Sequence, residues 1–598
     1  MEILCYTREP KEDIIYANRL AYSMHLAWKD KNGKFVPFHH NEGILYAKAV
    51  SREDGTLTAK SLKKPWIFAC EDGTYGVAAV RTEAEGEDDT ESEGCVLIFK
   101  SKDLVHYQEI GLLRLQNHDF IEEVRCKFDS NTGKYLISWT GKDGFWKKTS
   151  GNPFEETELC IEEICAKQTA ADDDVQNTSS WDTIEGICPG NRIEISDELG
   201  RYLGKKLMLS ECVKICAELD GKEILADTLV PEEQLQNVKA KAIYSDGTEA
   251  IRKIDWEKPA DGEANGRVHQ EHFPFPFTEN RADPCCMYWK GKYYFIATND
   301  ADDNHTLYMR CADTLEGIID AEEKLILDSE TYPGIGGLLW APEFHEINGT
   351  MYIFHAATEG EFFREESRVM KLRDGGDPMC REDWSAPMLV VKKDGTPLCD
   401  AGNVISLDMT TFEYEGKVYA MWSQRQFLPV DQGAWLYLAQ IDENEPWKLV
   451  SDPVCIAKPE YGWENNHTFV VEGPYALIHN DQLYITYSGA AVDATYAVGL
   501  LKPIMGSDIL KPENWCRSNY PLLSSRSKEG EFGPGHNSYV TDENGLVWNF
   551  YHARPGVEGP RSSAARRVHF DIDGEPVLDL LEEQDLPETM RQITVKTK

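Results

Sequence analysis

One hairpin pattern recurs five times in the C-terminal half of the sequence. Each copy has a turn with Gly or Asn, then alternating aromatic and aliphatic residues that end in small or polar ones. The copies begin at Gly291, Gly349, Gly416, Asp481 and Gly545. Their spacing of roughly 60–70 residues fits four-stranded sheets around an axis, whereas a β-sandwich would have turns about every 8–12 residues and no longer period. The pattern therefore predicts a five-bladed β-propeller.

The remaining sequence divides into two further regions, and the whole chain is predicted to be all-β. Segments such as RIEISDEL and VKAKAIYSDGTEAIRKIDW alternate cleanly and predict a small β-sandwich, whose last part resembles bacterial immunoglobulin-like domains. The hairpins DGTYGVAAVR and GKYLISWTGK predict a β-rich, propeller-like accessory region at the N-terminus. The expected divisions are 1–182 for the accessory region, 183–262 for the sandwich and 263–598 for the propeller.

Charge and cysteine usage restrict the possible partners. The 62 Lys and Arg residues against 103 Asp and Glu give a formal net charge of -41. This field repels phosphate and anionic lipid, so nucleic acid and membranes are poor partners, whereas a neutral sugar is unaffected. The start, MEILCYTREPKEDIIY, lacks the features of a secretory signal, and the 16 cysteines have no zinc-type spacing. We therefore expect a cytoplasmic protein with reduced thiols.

A polar residue precedes each repeated hairpin by a similar distance. These residues are Asp283, Glu343, Asp408, Glu472 and His536. Because first strands of different blades line the axial funnel of a propeller, we expect the five side chains to be equivalent and to converge near one end of the axis. Two carboxyl groups, one ionised to activate water and one protonated to assist the leaving oxygen, hydrolyse a glycosidic bond with inversion.

Five motifs occur in a fixed order: Ala-Asp-Pro, Trp-Ala-Pro-Glu, Leu-Asp-x-Thr-x-Phe, Glu-Gly-Pro and Gly-Pro-Gly-His-Asn. With this set, residues from about 265 to 598 resemble glycoside hydrolase family 43. The resemblance implies inverting hydrolysis with Asp283 as general base, Glu472 as general acid, and Asp408 as the residue that orients the acid and tunes its pKa. Since an ordinary Glu has a pKa of about 4.3, we expect burial and the like charge of Asp408 to favour protonated Glu472.

Four other residues have expected places near this site. Trp340 is expected to line the pocket for the terminal sugar, with packing between blades as the alternative. The resemblance implies that Arg554 donates paired hydrogen bonds to sugar hydroxyls, with a structural salt bridge as the alternative. It also implies that His536 lies in the central channel near a calcium ion held mostly by water. Glu343, in the most hydrophobic motif, is expected to be a buried structural acid.

The motif set is closest to the arabinofuranosidase side of the family. We therefore expect an exo-acting enzyme that releases terminal α-L-arabinofuranose from plant-derived oligosaccharides. A β-xylosidase, or a bifunctional enzyme, is the nearest alternative, because both sugars are neutral pentoses handled by the same carboxyls. A carbohydrate-binding or scaffold propeller is the alternative from another class, which retention of Asp283 and Glu472 disfavours. The N-terminal hairpin has Lys64 where the first repeat has Asp283, so no second active site is expected there.

Overall fold

Five antiparallel sheets follow one another around a ring in the C-terminal half of the chain. A computed structural model describes residues 1–11, 16–165 and 183–598. Blade 1 contains Arg281–Trp289, Lys292–Asn299, Thr306–Ala312 and Lys324–Asp328; blade 2 contains Gly337–Ile347, Thr350–Thr358, Glu366–Lys371 and Met388–Leu389. Blade 3 contains Val404–Tyr414, Lys417–Gln426, Gly433–Gln440 and Val454–Ala457; blade 4 contains Val471–His479, Gln482–Gly489, Ala497–Pro503 and Trp515–Arg517. Blade 5 contains Phe532–Thr541, Val547–Arg554 and Ser562–Arg567. The predicted all-β fold with a five-bladed propeller is confirmed.

The ring closes through contacts between its first and last blades. The first strand of blade 1 packs against the first strands of both blade 2 and blade 5. At the edge of blade 5, the backbone N–H of Ser563 donates to the carbonyl of Thr278 at 2.9 Å, and that of Phe277 donates to the carbonyl of Ser563 at 3.1 Å. The segment that enters blade 1 therefore extends blade 5, and hydrogen bonds join the two ends of the propeller.

The N-terminal region contains three sheets, of which the first two pack against the propeller and the third packs against the second. The first contains Ile187–Glu194, Glu2–Arg8, His25–Lys29 and Phe35–Pro37; the second contains Lys60–Ala69, Tyr75–Glu83, Cys95–Ser101 and Tyr107–Arg114; the third contains Ile121–Asp129, Lys134–Gly141, Trp146–Gly151 and Glu163–Cys165. One hydrophobic core contains Ile3 and Val77 from these sheets together with Met421 of blade 3 and Ile485 of blade 4. Burial of this shared apolar surface braces blades 3 and 4.

The small sandwich is assembled from separated parts of the chain. One sheet contains Lys222–Glu223, Cys212–Leu219, Lys239–Tyr244 and Glu249–Arg252; the other contains Leu229–Val230, Gln592–Thr597, Glu263–Val268 and Ile254–Trp256. The expected divisions therefore differ from the sheets. Residues 187–194 pair with the N-terminal strand, while 263–268 and 592–597 belong to the sandwich. The alternation of apolar and polar residues shows that a segment is a strand but not which strand it pairs with. The predicted boundary at residue 182 falls at the end of 166–182, which lies outside the described residues.

The longest helix, Asp197–Leu207, lies in a region where the sequence predicts only strands. The Ser196 hydroxyl caps it by accepting a hydrogen bond from the Leu199 backbone N–H at 3.1 Å. Leu203 and Leu207 are buried in the core shared with the propeller. In the part of the chain that the structure describes, the other two α-helices are short, Asn18–Ala21 and Glu582–Asp585. Across the described ranges, no helix is both long enough and apolar enough to span a membrane.

Candidate active site

The first strand of every blade contains a β-bulge, where its register with the second strand shifts. The bulge residues all have φ between 45° and 55°; they are Asp283, Ala341, Asp408, Gly473 and His536. These five positions are structurally equivalent. The predicted equivalence of two other acids is therefore wrong: Glu472 lies one residue before the bulge of blade 4, and Glu343 lies two residues after that of blade 2. The number of residues between each acid and the following hairpin could not distinguish the bulge residue from its neighbours.

Glycine suits the blade 4 bulge because of the limited space around it, since the other four bulges hold a similar φ with residues other than glycine. Its φ of 54° lies in the left-handed region, and a Cβ atom at Gly473 would lie 3.0 Å from Nδ1 of His536. The absence of a side chain thus allows two neighbouring blades to approach closely beside Glu472.

The bulged strands open into a cavity of about 400 Å³. All six predicted site residues line it; they are Asp283, Trp340, Asp408, Glu472, His536 and Arg554. Further lining residues are Phe362, Ile405, Leu407, Arg425, Ala434, Val470, Val492 and Arg561. Mixed apolar and polar walls of this kind are typical of small-molecule sites. Glu343 does not line the cavity; it is buried, and its Oε2 lies 2.7 Å from Nε2 of His345.

Asp283 is surrounded by groups that stabilise its ionised form. The residue is 6% exposed, Arg561 Nη1 donates to its Oδ1 at 3.2 Å, and Nδ1 of His536 lies 3.3 Å from the same oxygen. Burial by itself would raise the pKa of Asp283. The charges of Arg561 and His536, together with a hydrogen bond to His552, outweigh burial and hold this pKa well below its ordinary value. Asp283 is therefore suited to accept a proton from water.

Glu472 has an environment that favours its protonated form. Burial raises the pKa of Glu472 above its ordinary value, and the negative charge of Asp283 raises it further. The Tyr496 hydroxyl donates to Oε1 at 2.7 Å, and this hydrogen bond and the charge of His536 lower the pKa without reversing the direction. Glu472 is therefore suited to donate a proton.

Asp408 contacts the strand that carries Glu472. Its Oδ2 accepts a hydrogen bond at 3.1 Å from the backbone N–H of Gly473, the residue after Glu472. Burial and the charges of Glu472 and Asp283 raise the pKa of Asp408 to about 8, although the charge of His536 opposes them. Asp408 and Glu472 therefore repel each other when both are ionised, and the charge of Asp283 also raises the pKa of Glu472. Glu472 and Asp408 titrate as a pair.

Sequence reasoning missed Arg561, the cation that contacts Asp283. Its Nε and Nη2 also donate to Asp300 at 2.9 and 2.8 Å, which fixes the guanidinium between two carboxylates. A single Arg in the loop PGVEGPR has no periodic signal that could have identified it. Tyr496, whose ring stacks on His552 with 5.5 Å between centroids, lies in the segment YAVGLL, which follows the Glu-Gly-Pro motif in the same blade and is therefore a possible sequence signal.

Trp340 and Arg554 both lie in the cavity wall, with their polar groups bonded to protein. Trp340 Nε1 donates to Oδ1 of Asn304 at 2.7 Å, which fixes the ring beside the cavity. Arg554 donates to the backbone carbonyls of Gly559 and Val492 at 2.5 and 2.8 Å. Its observed partners are therefore backbone carbonyls of neighbouring loops, and its contact with sugar hydroxyls stays a prediction.

A five-bladed propeller whose axial cavity contains one ionised and one protonatable carboxyl is typical of enzymes that hydrolyse glycosidic bonds. The model of glycosyl hydrolases family 43 matches residues 273–576. This chain belongs to that family.

Two relatives and one solved structure show the extent of the similarity. The chain is 32% identical over 310 residues to alpha-L-arabinofuranosidase B of Pyricularia oryzae, covering 50% of this chain and 61% of that protein. It is 31% identical over 298 residues to an extracellular exo-alpha-(1->5)-L-arabinofuranosidase of Streptomyces chartreusis, covering 49% of this chain and 86% of that protein. An alpha-L-arabinofuranosidase structure from Lactobacillus brevis is 30% identical, with a TM-score of 0.46, and the match covers 51% of this chain and 95% of that one.

Proposed function

We propose that this protein is an inverting, exo-acting α-L-arabinofuranosidase that acts on arabinose-containing oligosaccharides. The observation that carries the proposal is the placement of Asp283 and Glu472 in one cavity with opposite protonation tendencies. Membership of the family supports glycosidic bond hydrolysis, and the names of the two relatives support arabinofuranose as the sugar released.

The mechanism follows from the two carboxyl environments. Asp283 accepts a proton from water as that water attacks the anomeric carbon, and Glu472 donates a proton to the departing glycosidic oxygen. A single displacement of this kind inverts the anomeric configuration. Arg561 keeps the base ionised, and Asp408 holds the backbone beside the acid through Gly473.

Substitution of the acid tests the assignment. We expect Glu472→Ala to reduce kcat/KM by about 10²–10⁴-fold for an arabinofuranoside with a poor leaving group. The loss should be much smaller for a dinitrophenyl glycoside, whose leaving group departs without protonation. Glu343→Gln is the matched control, because this buried acid does not line the cavity. Equal losses on both substrates would refute the role of Glu472 as acid.

The same assay separates the alternative functions. Wild-type protein that prefers the matching xylopyranoside would instead be a β-xylosidase, and comparable rates on both sugars would indicate a bifunctional enzyme. Oligosaccharide binding without cleavage of either would indicate a scaffold propeller. Proton NMR of the first-formed sugar tests inversion, since retention of configuration would exclude the single displacement.

We further propose that His536 contacts a calcium ion through Nε2, with water as the main ligand. Support comes from this nitrogen, which is buried without a hydrogen-bond partner in the described part of the chain. Among the described residues no group of three or more His, Cys, Asp or Glu is placed to hold a metal, so water would have to supply most of the ligands. When bound, calcium would require the neutral imidazole of His536 and would itself supply the positive charge that protonated His536 otherwise places near the carboxyls.

Metal analysis and thermal unfolding test the calcium proposal. We expect bound calcium in purified wild type, a lower melting temperature with EDTA, and recovery on adding CaCl2. His536→Ala should remove both effects. If calcium neither copurifies nor raises the melting temperature, the imidazole of His536 itself provides the positive charge beside Asp283.

A further inference from the structure

Three phenylalanines continue the aromatic wall of the cavity out to the protein surface. Phe362 lines the cavity and lies 6.0 Å from Trp340 between ring centroids. Phe362, Phe363 and Phe427, here called the aromatic ridge, lie 5.0–5.6 Å apart between centroids. Phe362 is 39% exposed and Phe363 is 48% exposed. The ridge thus joins the enclosed cavity to solvent without a break.

The ridge is formed by two different blades and is held in place. Phe362 and Phe363 lie between the second and third strands of blade 2, whereas Phe427 follows the second strand of blade 3. The guanidinium of Arg425 lies over the Phe427 ring at 4.8 Å and pairs with Asp431 at 2.6 Å. Exposed aromatic side chains that are clustered and fixed, rather than scattered, mark a binding surface.

The N-terminal region supports the blade 3 part of the ridge. Gln432, in the loop that begins at Phe427, donates to the backbone carbonyl of Asp54 at 2.8 Å. Asp54 lies in the turn between the short strands Val50–Ser51 and Leu57–Thr58. A surface held from both sides loses little conformational freedom on binding, which favours affinity.

We propose that the aromatic ridge binds the sugars of the leaving group, a neutral oligosaccharide attached to the residue being released. This inference rests on the proposed function. In an exo-acting enzyme the terminal sugar occupies the cavity beside Asp283 and Glu472. The rest of the bound substrate therefore extends out of the cavity opening, where the ridge lies. The C–H faces of sugar rings pack on aromatic rings, and the exposed apolar rings of Phe362 and Phe363 suit a neutral ligand.

Substitution of Phe363 tests the inference by comparing two substrates. One is an α-1,5-linked arabinotriose, and the other is an aryl arabinofuranoside that has no second sugar. We expect Phe363→Ala to lower the ratio of kcat/KM for the trisaccharide to that for the aryl substrate by about tenfold, mainly through a higher KM. Phe363→Trp keeps an aromatic face and should retain the ratio.

A matched control and three further outcomes make the test decisive. Phe145→Ala removes a phenylalanine that is 46% exposed, just before the N-terminal strand Trp146–Gly151, and should leave the ratio unchanged. An unchanged ratio in Phe363→Ala would overturn the inference. Equal losses on both substrates would place the ridge against the terminal sugar instead. A dimer that Phe363→Ala converts to monomer, with the ratio unchanged, would make the ridge a self-association surface.

Binding measurements distinguish failure of this inference from failure of the proposed function. If the wild type cleaves no arabinofuranoside, the proposed function fails. Calorimetry with arabinotriose then decides the ridge separately, because weaker binding to Phe363→Ala than to wild type supports it and equal binding overturns it.

Discussion

Removal of the Tyr496 hydroxyl should extend activity to higher pH. This hydroxyl donates to Oε1 of Glu472 at 2.7 Å, and a donor stabilises the ionised carboxylate more than the neutral acid. The hydrogen bond therefore lowers the pKa of a group that must be protonated to act as the acid. Tyr496→Phe keeps the ring and its stacking on His552, so the substitution isolates the effect of the hydroxyl.

The size of the effect follows from the strength of the lost hydrogen bond. A hydrogen bond to a charged acceptor contributes about 1.5–3 kcal/mol. Losing even the lower value raises the ratio of protonated to ionised Glu472 about tenfold at any given pH. On the alkaline limb, where rate follows the protonated fraction, kcat/KM relative to its maximum should be about tenfold higher in Tyr496→Phe than in wild type.

A pH profile of kcat/KM for an arabinofuranoside with a poor leaving group is the assay. Tyr487→Phe is the matched control, because the Tyr487 hydroxyl donates to Glu464 at 2.6 Å in the same blade, and neither residue lines the cavity. This control should leave the normalised profile unchanged even if it lowers the melting temperature. An alkaline limb in Tyr496→Phe that coincides with wild type, or lies at lower pH, would refute the assignment of Glu472 as acid.

Two further substitutions test charges that burial makes important. Arg561→Met removes a cation that lowers the pKa of Asp283, so this pKa should rise and the acid limb of kcat/KM should lie at higher pH than in wild type; an unchanged acid limb would exclude Asp283 as the base. Asp585→Asn leaves the buried guanidinium groups of Arg252 and Arg567 without their anion and should lower the free energy of unfolding by about 3–5 kcal/mol in denaturant titrations at neutral pH. The pKa of Asp585 is lower in the folded than in the unfolded protein, so ionised Asp585 stabilises the fold at pH values above the ordinary Asp pKa, and this stabilisation is lost on acidification. The difference in unfolding free energy between Asp585→Asn and wild type should therefore shrink at low pH. A difference that stays constant with pH would contradict the reasoning.

The repeat and the acids could be read from the sequence because each has a local signal. The five hairpins indicated the number of blades, and the ordered motifs contain five of the six predicted residues that the structure brings to one cavity, Arg554 being implied by the family resemblance alone. Motif reading worked for these two acids because Asp283 is a bulge residue followed by proline and Glu472 directly precedes one, and that local sequence is visible without knowing the fold.

What the sequence could not predict depends on contacts between distant segments. The closing strand Gln592–Thr597 pairs with Glu263–Val268, more than three hundred residues earlier, and nothing in its alternation specifies that partner. Arg561 is similar, because its importance comes from two carboxylates in blade 1 rather than from its own neighbours. The aromatic ridge likewise combines loops from separate blades, so no single segment predicts it.

The bulges show why backbone strain alone would have been a poor guide to the active site. A non-glycine residue at positive φ costs of order 1–3 kcal/mol, and such strain often marks functional positions. Here Ala341 in blade 2 has the same positive φ, although its methyl side chain cannot take part in catalysis. The second N-terminal sheet has the same bulge at Lys64, with φ of 49° and Pro65 following. The bulge therefore belongs to the blade as a structural unit. Catalysis requires in addition that the blades close into a ring. In the ring, the bulges of several blades face one cavity, and Asp283 and Glu472 both line it.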